Sequence, residues 1–139
     1  MKPNKGWAIH LHHDILVEWC RDYKERKKYI IKYKRKNEIK PRLRLFKLLP
    51  IKAVSEIPIA CRETGKAYQE AYEACRASYA ARAPYETCRK TYETWRVTDK
   101  VVWKAGKTWR ATDKAKFHEK WCGCKEWNGK KLIFGGIEK

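Results

Sequence analysis

The sequence predicts an α+β fold: a small strand-helix-strand platform, a long antiparallel helical hairpin of coiled-coil character, and a C-terminal β-hairpin preceded by a tight cysteine turn. Three observations predict it. The first is a repeat, in which Cys61-Arg62-Glu63-Thr64, Cys75-Arg76-Ala77-Ser78, Cys88-Arg89-Lys90-Thr91, Trp95-Arg96-Val97-Thr98 and Trp109-Arg110-Ala111-Thr112 begin 14, 13, 7 and 14 residues apart. This is heptad spacing, the mark of one helix face. The second is apolar alternation in the first fifty residues, and the third is Asn128-Gly129 set between two short apolar runs.

Taken in order, Ile15 to Cys20 reads as a strand, and Asp22 then suits a helix N-cap. From Tyr23 to about Lys34 the apolar positions Tyr23, Ile30, Ile31 and Tyr33 give a helical stripe, although Tyr29, Ile31 and Tyr33 also alternate. Asn37 and Pro41 close that helix, and Arg42 to Leu49 has the period of two of a half-buried strand. Pro50 and Pro58 bracket a connector that is either an edge strand or an extended linker.

In the repeat, Tyr68 fills the heptad position between Cys61 and Cys75, and Tyr72 precedes Tyr79 by seven. Alanines 67, 71, 74, 77, 80, 81 and 83 favour helix and permit close approach of a partner helix. The 13-residue step contains Pro84, which is costly inside a helix and suited to its first turn, so the break falls at Ala83-Pro84. The first arm spans about Arg62 to Arg82 and the second about Tyr85 to Lys120, loosened at Gly106; one long helix kinked at the proline is the alternative. Asn128-Gly129 predicts a type I′ hairpin between 124–127 and 130–134, whose second strand could join the N-terminal sheet, before Gly135-Gly136 and a charged tail. The expected parts are a platform at 1–50, a connector at 51–60, the helical hairpin at 61–120, and a knuckle with hairpin at 121–139 that packs back on the platform.

Composition narrows the partners. Thirty-four Lys and Arg against 16 Asp and Glu give a net charge of +18, more than solubility needs, which favours a polyanion. The first 17 residues have no uninterrupted apolar run, being cut by His10, His12, His13 and Asp14, and no stretch is long and apolar enough to span a bilayer. A cytoplasmic, non-secreted protein with no membrane partner is therefore expected. Six cysteines without a signal peptide, three of them on a helical repeat, suggest thiols rather than disulfides, with Cys61, Cys75 and Cys88 as small buried residues.

The sharpest chemical constellation is His118-x-x-x-Cys122-Gly123-Cys124. One imidazole and two thiolates within reach of one ion suit zinc, a soft tetrahedral acceptor. A fourth ligand is missing locally, and His13 is the leading choice, with His12, His10 or Cys20 as the others. Free thiols or a redox pair are the competing readings. His10-Leu11-His12-His13-Asp14 faintly resembles a metallo-hydrolase motif, but Ile15 stands where its last histidine belongs; His10 and His12 more simply share one face of an extended segment. There is no glycine-rich phosphate loop and no nucleophile framed by a histidine, so no enzyme is expected.

The other constellation is a basic run. Arg21 to Lys47 holds 13 Lys or Arg and 3 Asp or Glu, a net +10 (13 minus 3). Lys28, Lys32, Lys34, Arg35, Arg42 and Arg44 are candidates for phosphate contacts, and Tyr29 and Tyr33 for stacking on unpaired bases.

The pattern Asp14 to Glu18, Tyr29-Ile30, Arg42 to Phe46, the Ala/Tyr heptads, and the ending His118-x3-Cys122-x-Cys124-x2-Trp127-Asn128-Gly129-Lys130 with Ile133-Phe134 resembles a group of small proteins of tailed phages and metagenomes. The resemblance covers most of the chain and implies a viral accessory protein, with no implication for catalysis. The expectation is thus a non-enzymatic accessory protein that binds DNA or RNA. The alternative is a protein-interaction module, such as an anti-CRISPR-like inhibitor of a host defence protein–RNA complex, which uses the aromatic helical arm. Homodimerisation through that arm stays open.

Overall fold

The computed structural model describes residues 3–134. Among these residues the chain forms three antiparallel strands and six helices, a mixed α+β architecture: β1 (Gly6–His12), β2 (Ile15–Cys20), α1 (Tyr23–Tyr33), α2 (Lys36–Leu45), β3 (Lys47–Leu48), α3 (Ile51–Val54), α4 (Ile59–Ala80), α5 (Tyr85–Thr108) and α6 (Ala111–Trp121). Two compact units result. One combines the chain up to Glu56 with the chain from Ala111 onward, and the other is Ile57–Arg110. Residues 111–120, expected in the second helical arm, thus belong with the N-terminal unit. Gly135, Gly136 and the charged tail lie outside the described residues.

In the first unit the sheet order is β2-β1-β3, with β1 central. Trp7 pairs with Trp19, Ala8 with Glu18 and Ile9 with Val17, and the register then slips before His12 meets Ile15. The slip coincides with His10, whose backbone is left-handed at φ 57°. A bulge of this kind bends a strand and re-aims a side chain, and the burial follows: Trp7 to Leu11 are all buried, without alternation, while His12 is exposed. The expected shared face of His10 and His12 is therefore absent. Histidine is among the residues that tolerate left-handed backbone, which makes the bulge affordable here without glycine.

Asp22 caps α1 as expected, accepting from the Glu25 amide at 3.0 Å. Asn4 reinforces the cap: its side-chain amide donates to Asp22, and its side-chain oxygen accepts from the Lys24 amide. Half of the segment expected to be a strand from Arg42 to Leu49 is helix, because α2 continues through Pro41 to Leu45, and only Lys47–Leu48 pair with β1. The alternation Arg42-Leu43-Arg44-Leu45-Phe46 also satisfies an i, i+3, i+4 pattern, and Arg42, Leu45 and Phe46 are the buried positions. Ala8, Leu11, Cys20, Ile30 and Phe46 form the core, onto which Tyr23, Leu43 and Leu48 pack. Tyr23 closes it by donating its hydroxyl to the Phe46 carbonyl at 2.8 Å. The expected connector is in part helical, as α3. After the cysteine turn, Trp127 and Leu132 make a single antiparallel bridge. Asn128 accepts from the amides of Lys130 and Lys131, so a longer side-chain-supported turn replaces the two-residue hairpin.

In the second unit α4 and α5 are separated by residues 81–84, with Pro84 capping α5. Their contacts run in opposite directions along the chain: Ser78 Oγ meets Thr91 Oγ1 at 2.9 Å, Tyr72 meets Trp95 at 5.4 Å between centroids, and Cys61 Sγ meets the Ala105 carbonyl at 3.5 Å. The second arm ends at Thr108, where Trp109 takes an extended conformation. The repeat gains a physical meaning: at three of the five anchors the hydroxyl three residues later donates to the anchor's carbonyl, Ser78 to Cys75, Thr91 to Cys88 and Thr98 to Trp95. No disulfide is formed among the described residues; Cys75 and Cys88 are buried and Cys61 is half-buried.

Two outcomes follow for the first unit. Truncating the fully buried Phe46 to alanine should lower unfolding free energy by about 3–5 kcal/mol in a denaturant titration. The Glu25 amide, and then Asn4, hold the Asp22 carboxyl below its ordinary value. Its stabilising share is therefore present above roughly pH 4 and is lost as pH falls through the lowered pKa. Asp22→Ala should melt earlier than the parent protein at neutral pH, and the difference should close in acid.

Candidate metal centre and basic face

The C-terminus of α6 builds most of the metal centre. The amides of Cys122 and Gly123 both bond to the His118 carbonyl, at 2.8 and 2.7 Å, and Gly123 is left-handed at φ 66°. This is a glycine helix stop, and it turns the two cysteines back over the last helical histidine. A Cβ on residue 123 would lie 3.3 Å from the Glu119 carbonyl oxygen, a tight approach added to the conformational strain.

The fourth member comes from the bulge in β1. His10, His118, Cys122 and Cys124 each offer one ligand atom, and these atoms all lie within 4.8 Å of one another, so the cluster can hold a metal ion. Nε2 of His118 is 3.3 Å from Cys124 Sγ, and Nε2 of His10 is 3.5 Å from the same sulfur. Around zinc, bond lengths of about 2.0–2.1 Å to nitrogen and 2.3 Å to sulfur set a tetrahedral N···S edge of roughly 3.6 Å. The two observed separations fit that edge. His13, expected as fourth ligand, is exposed, and its carbonyl accepts the Leu132 amide at 2.6 Å; the bulge delivers His10 in its place.

Electrostatics suits a cation. Burial, and then the neighbouring His118, push the His10 imidazole down to about 4, and burial also lowers His118. Both rings are therefore neutral donors near pH 7. Burial, then the Cys122 thiol, raise Cys124 to about 11, so a divalent ion would supply the charge that makes it a thiolate. Trp127 walls the cluster, its ring 5.5 Å from His10 and 6.1 Å from His118. His10 is 1% exposed and its Nδ1 has no hydrogen-bond partner, which leaves Nε2 as the atom engaged with the cluster.

The basic run divides by burial. Lys28, Tyr29, Lys32, Tyr33 and Arg35 are exposed as expected, and Lys34 is half-buried. Arg42 is 5% exposed, pairs with Glu38 and lies 5.1 Å from the Phe134 ring, so it is a core cation and cannot contact phosphate. Arg44 is exposed but engaged with Glu126. On α1, Lys24, Lys28 and Lys32 recur every fourth residue and form one row, with Tyr29 and Tyr33 in the next.

Sequence reasoning ranked His10 behind His13 because strict alternation hides a bulge. The available signal was Trp7 to Leu11, an apolar run in which His10 is the sole polar member. No family model, no curated protein and no solved structure matches the chain.

Replacing Gly123 by alanine tests the turn. A left-handed L-residue costs about 1–2 kcal/mol, so Gly123→Ala should lower stability by about that much in a denaturant titration and weaken retention of a bound metal during dialysis.

Proposed function

We propose that the protein binds nucleic acid through the outward face of α1, and that His10, His118, Cys122 and Cys124 hold a zinc ion that ties α6 to the sheet. The single observation that carries the binding reading is the exposed row Lys24, Lys28 and Lys32 on a segment whose few acids are largely occupied. Asp22 caps the helix and Glu38 faces the buried Arg42. Such a face neutralises phosphates and releases their counterions. For zinc, the support is the donor set itself, two neutral imidazoles and two thiols whose ligand atoms all lie within 4.8 Å of one another. With four protein ligands the ion is structural: it has no open position for a reactant, in keeping with a binding protein rather than an enzyme.

A second reading rests on α5, where Tyr85, Tyr92 and Trp103 share one exposed face, Trp103 at 67% exposure. A stripe of this kind suits docking on a protein partner.

Purified protein should carry about one zinc per chain, retained in His13→Ala and lost in His10→Ala or in Cys122→Ser with Cys124→Ser. Affinity for a nucleic-acid oligomer should fall steeply with salt, and neutralising Lys24, Lys28 and Lys32 together should reduce the logarithmic salt slope by about 2 to 3. Binding that ignores both salt and these lysines would remove the nucleic-acid reading and leave the α5 stripe as the docking surface.

A further inference from the structure

We infer that the ligand of the α1 face is unpaired nucleic acid, its bases stacking on Tyr33 and Tyr29 while the lysine row takes its phosphates; the inference rests on the nucleic-acid reading above. The two tyrosines are 43% and 61% exposed, high for large aromatic side chains in a chain that buries Phe46 completely. They are also ordered relative to one another, four residues apart with ring centroids 4.7 Å apart and planes tilted by 41°. The inner rung is fixed from the protein side: the Arg26 guanidinium lies 4.6 Å from the Tyr29 centroid and donates to the Leu11 carbonyl of β1 at 3.3 Å. Arg26, Tyr29 and Tyr33 thus form a ladder anchored to the sheet, with Tyr33 as its outermost rung.

Flanking charge completes the match. The Lys32 ammonium lies 5.2 Å from the Tyr33 ring centre, and the Lys34 ammonium 5.8 Å from that of Tyr29. A planar base extending the ladder would keep its phosphate among ammonium groups on flexible stems that can turn from ring to phosphate. Preformed aromatic surfaces bordered by cations are how proteins hold single strands without reading sequence, since every base has a stacking face. A duplex offers these rings no base face. Its edges are read by arginine, lysine, asparagine and glutamine, and of these the exposed positions of this helix hold only lysines, beside Tyr29, Ile31 and Tyr33.

The test uses the full chain, zinc-loaded, with fluorescently labelled oligomers of equal length: single-stranded DNA, single-stranded RNA, duplex DNA, and an abasic strand that keeps the phosphates and lacks the bases. Single strands should bind at least about tenfold tighter than duplex or abasic strand, and Tyr33→Ala should lose on the order of tenfold on single strands with little change on duplex. Tyr33→Phe, which keeps the ring, should bind as the parent does. Tyr33 is exposed, so its variants keep the fold, as checked by circular dichroism and zinc content. The DNA and RNA arms decide which sugar is preferred. Equal binding of single, duplex and abasic strands, or Tyr33→Ala that binds as the parent does, overturns the stacking inference while the phosphate-binding reading stands. Failure to bind any strand at low salt overturns that reading and the inference with it.

Discussion

The first unit is held by the meeting of two chain segments that are far apart in sequence, and its closure is the constraint on which the rest depends. Cys124 reaches His10 across 114 positions, Lys120 and Trp121 donate to Glu56, Arg44 pairs with Glu126, and Leu45 packs with Leu132 and Phe134. Closing a loop costs entropy that grows with the logarithm of its length. The intervening unit reduces that cost through its own pairing, since Cys61 and Ala105 lie in contact and the chain leaves α5 near where it entered α4. A metal ion at His10, His118, Cys122 and Cys124 would add binding free energy at the same junction, which suits a unit whose core is small.

The repeat in α4 and α5 solves a different difficulty. An interface lined by Cys75, Ser78 and Cys88 offers little apolar volume, so the helices can approach closely but gain modest burial. The hydroxyls at the third position after each anchor satisfy themselves on carbonyls of their own helix, and Ser78 and Thr91 also meet across the interface. Trp95 supplies the bulk that the small residues lack, with Tyr68, Tyr72 and Tyr92 around it. Spacing is therefore set by small and hydroxyl side chains and adhesion by one aromatic cluster. Among the described residues no helix is long and apolar enough to cross a membrane.

Features governed by short-range chemistry were legible in the sequence. The Asp22 cap, the strand at Ile15–Cys20, the break before Pro84 and the grouping of His118 with Cys122 and Cys124 each depend on residues within about one turn of each other. What escaped depends on distant partners. Arg42 to Phe46 fits a strand and a helix equally by periodicity, and the choice is made where Arg42 meets Glu38 and Phe134 and where Phe46 enters the core under Tyr23. His10 was outranked by His13 for the same reason, because its inward turn arises from a register slip between β1 and β2 that neither strand announces alone. Strand β1 itself, pairing on both sides and buried without alternation, lacked a period-two signal.

The basic face is where local physics and fold disagree, and that disagreement has direction. Lysines four apart on one helix repel by roughly 0.2–0.5 kcal/mol per pair, and Lys24 sits near the positive end of the α1 dipole while only Lys32 lies near its negative end. The helix tolerates this through the Asp22 and Asn4 cap and the burial of Ile30 and Tyr23. Arg26 beneath Tyr29 and Arg42 against Glu38 are drawn inward, and Lys27 and Lys34, half-buried, lie over the rings of Tyr23 and Tyr29. Lys24, Lys28 and Lys32 stay on the exposed face of α1, and their mutual repulsion opposes the helix. A polyanion would offset that repulsion, and its binding would favour the folded state with the logarithm of its concentration relative to its dissociation constant. Charge that opposes the free helix and would favour a bound one is the energetic form that a binding surface would take, and here it adjoins Tyr29 and Tyr33, whose ring centroids lie 4.7 Å apart with planes tilted by 41°.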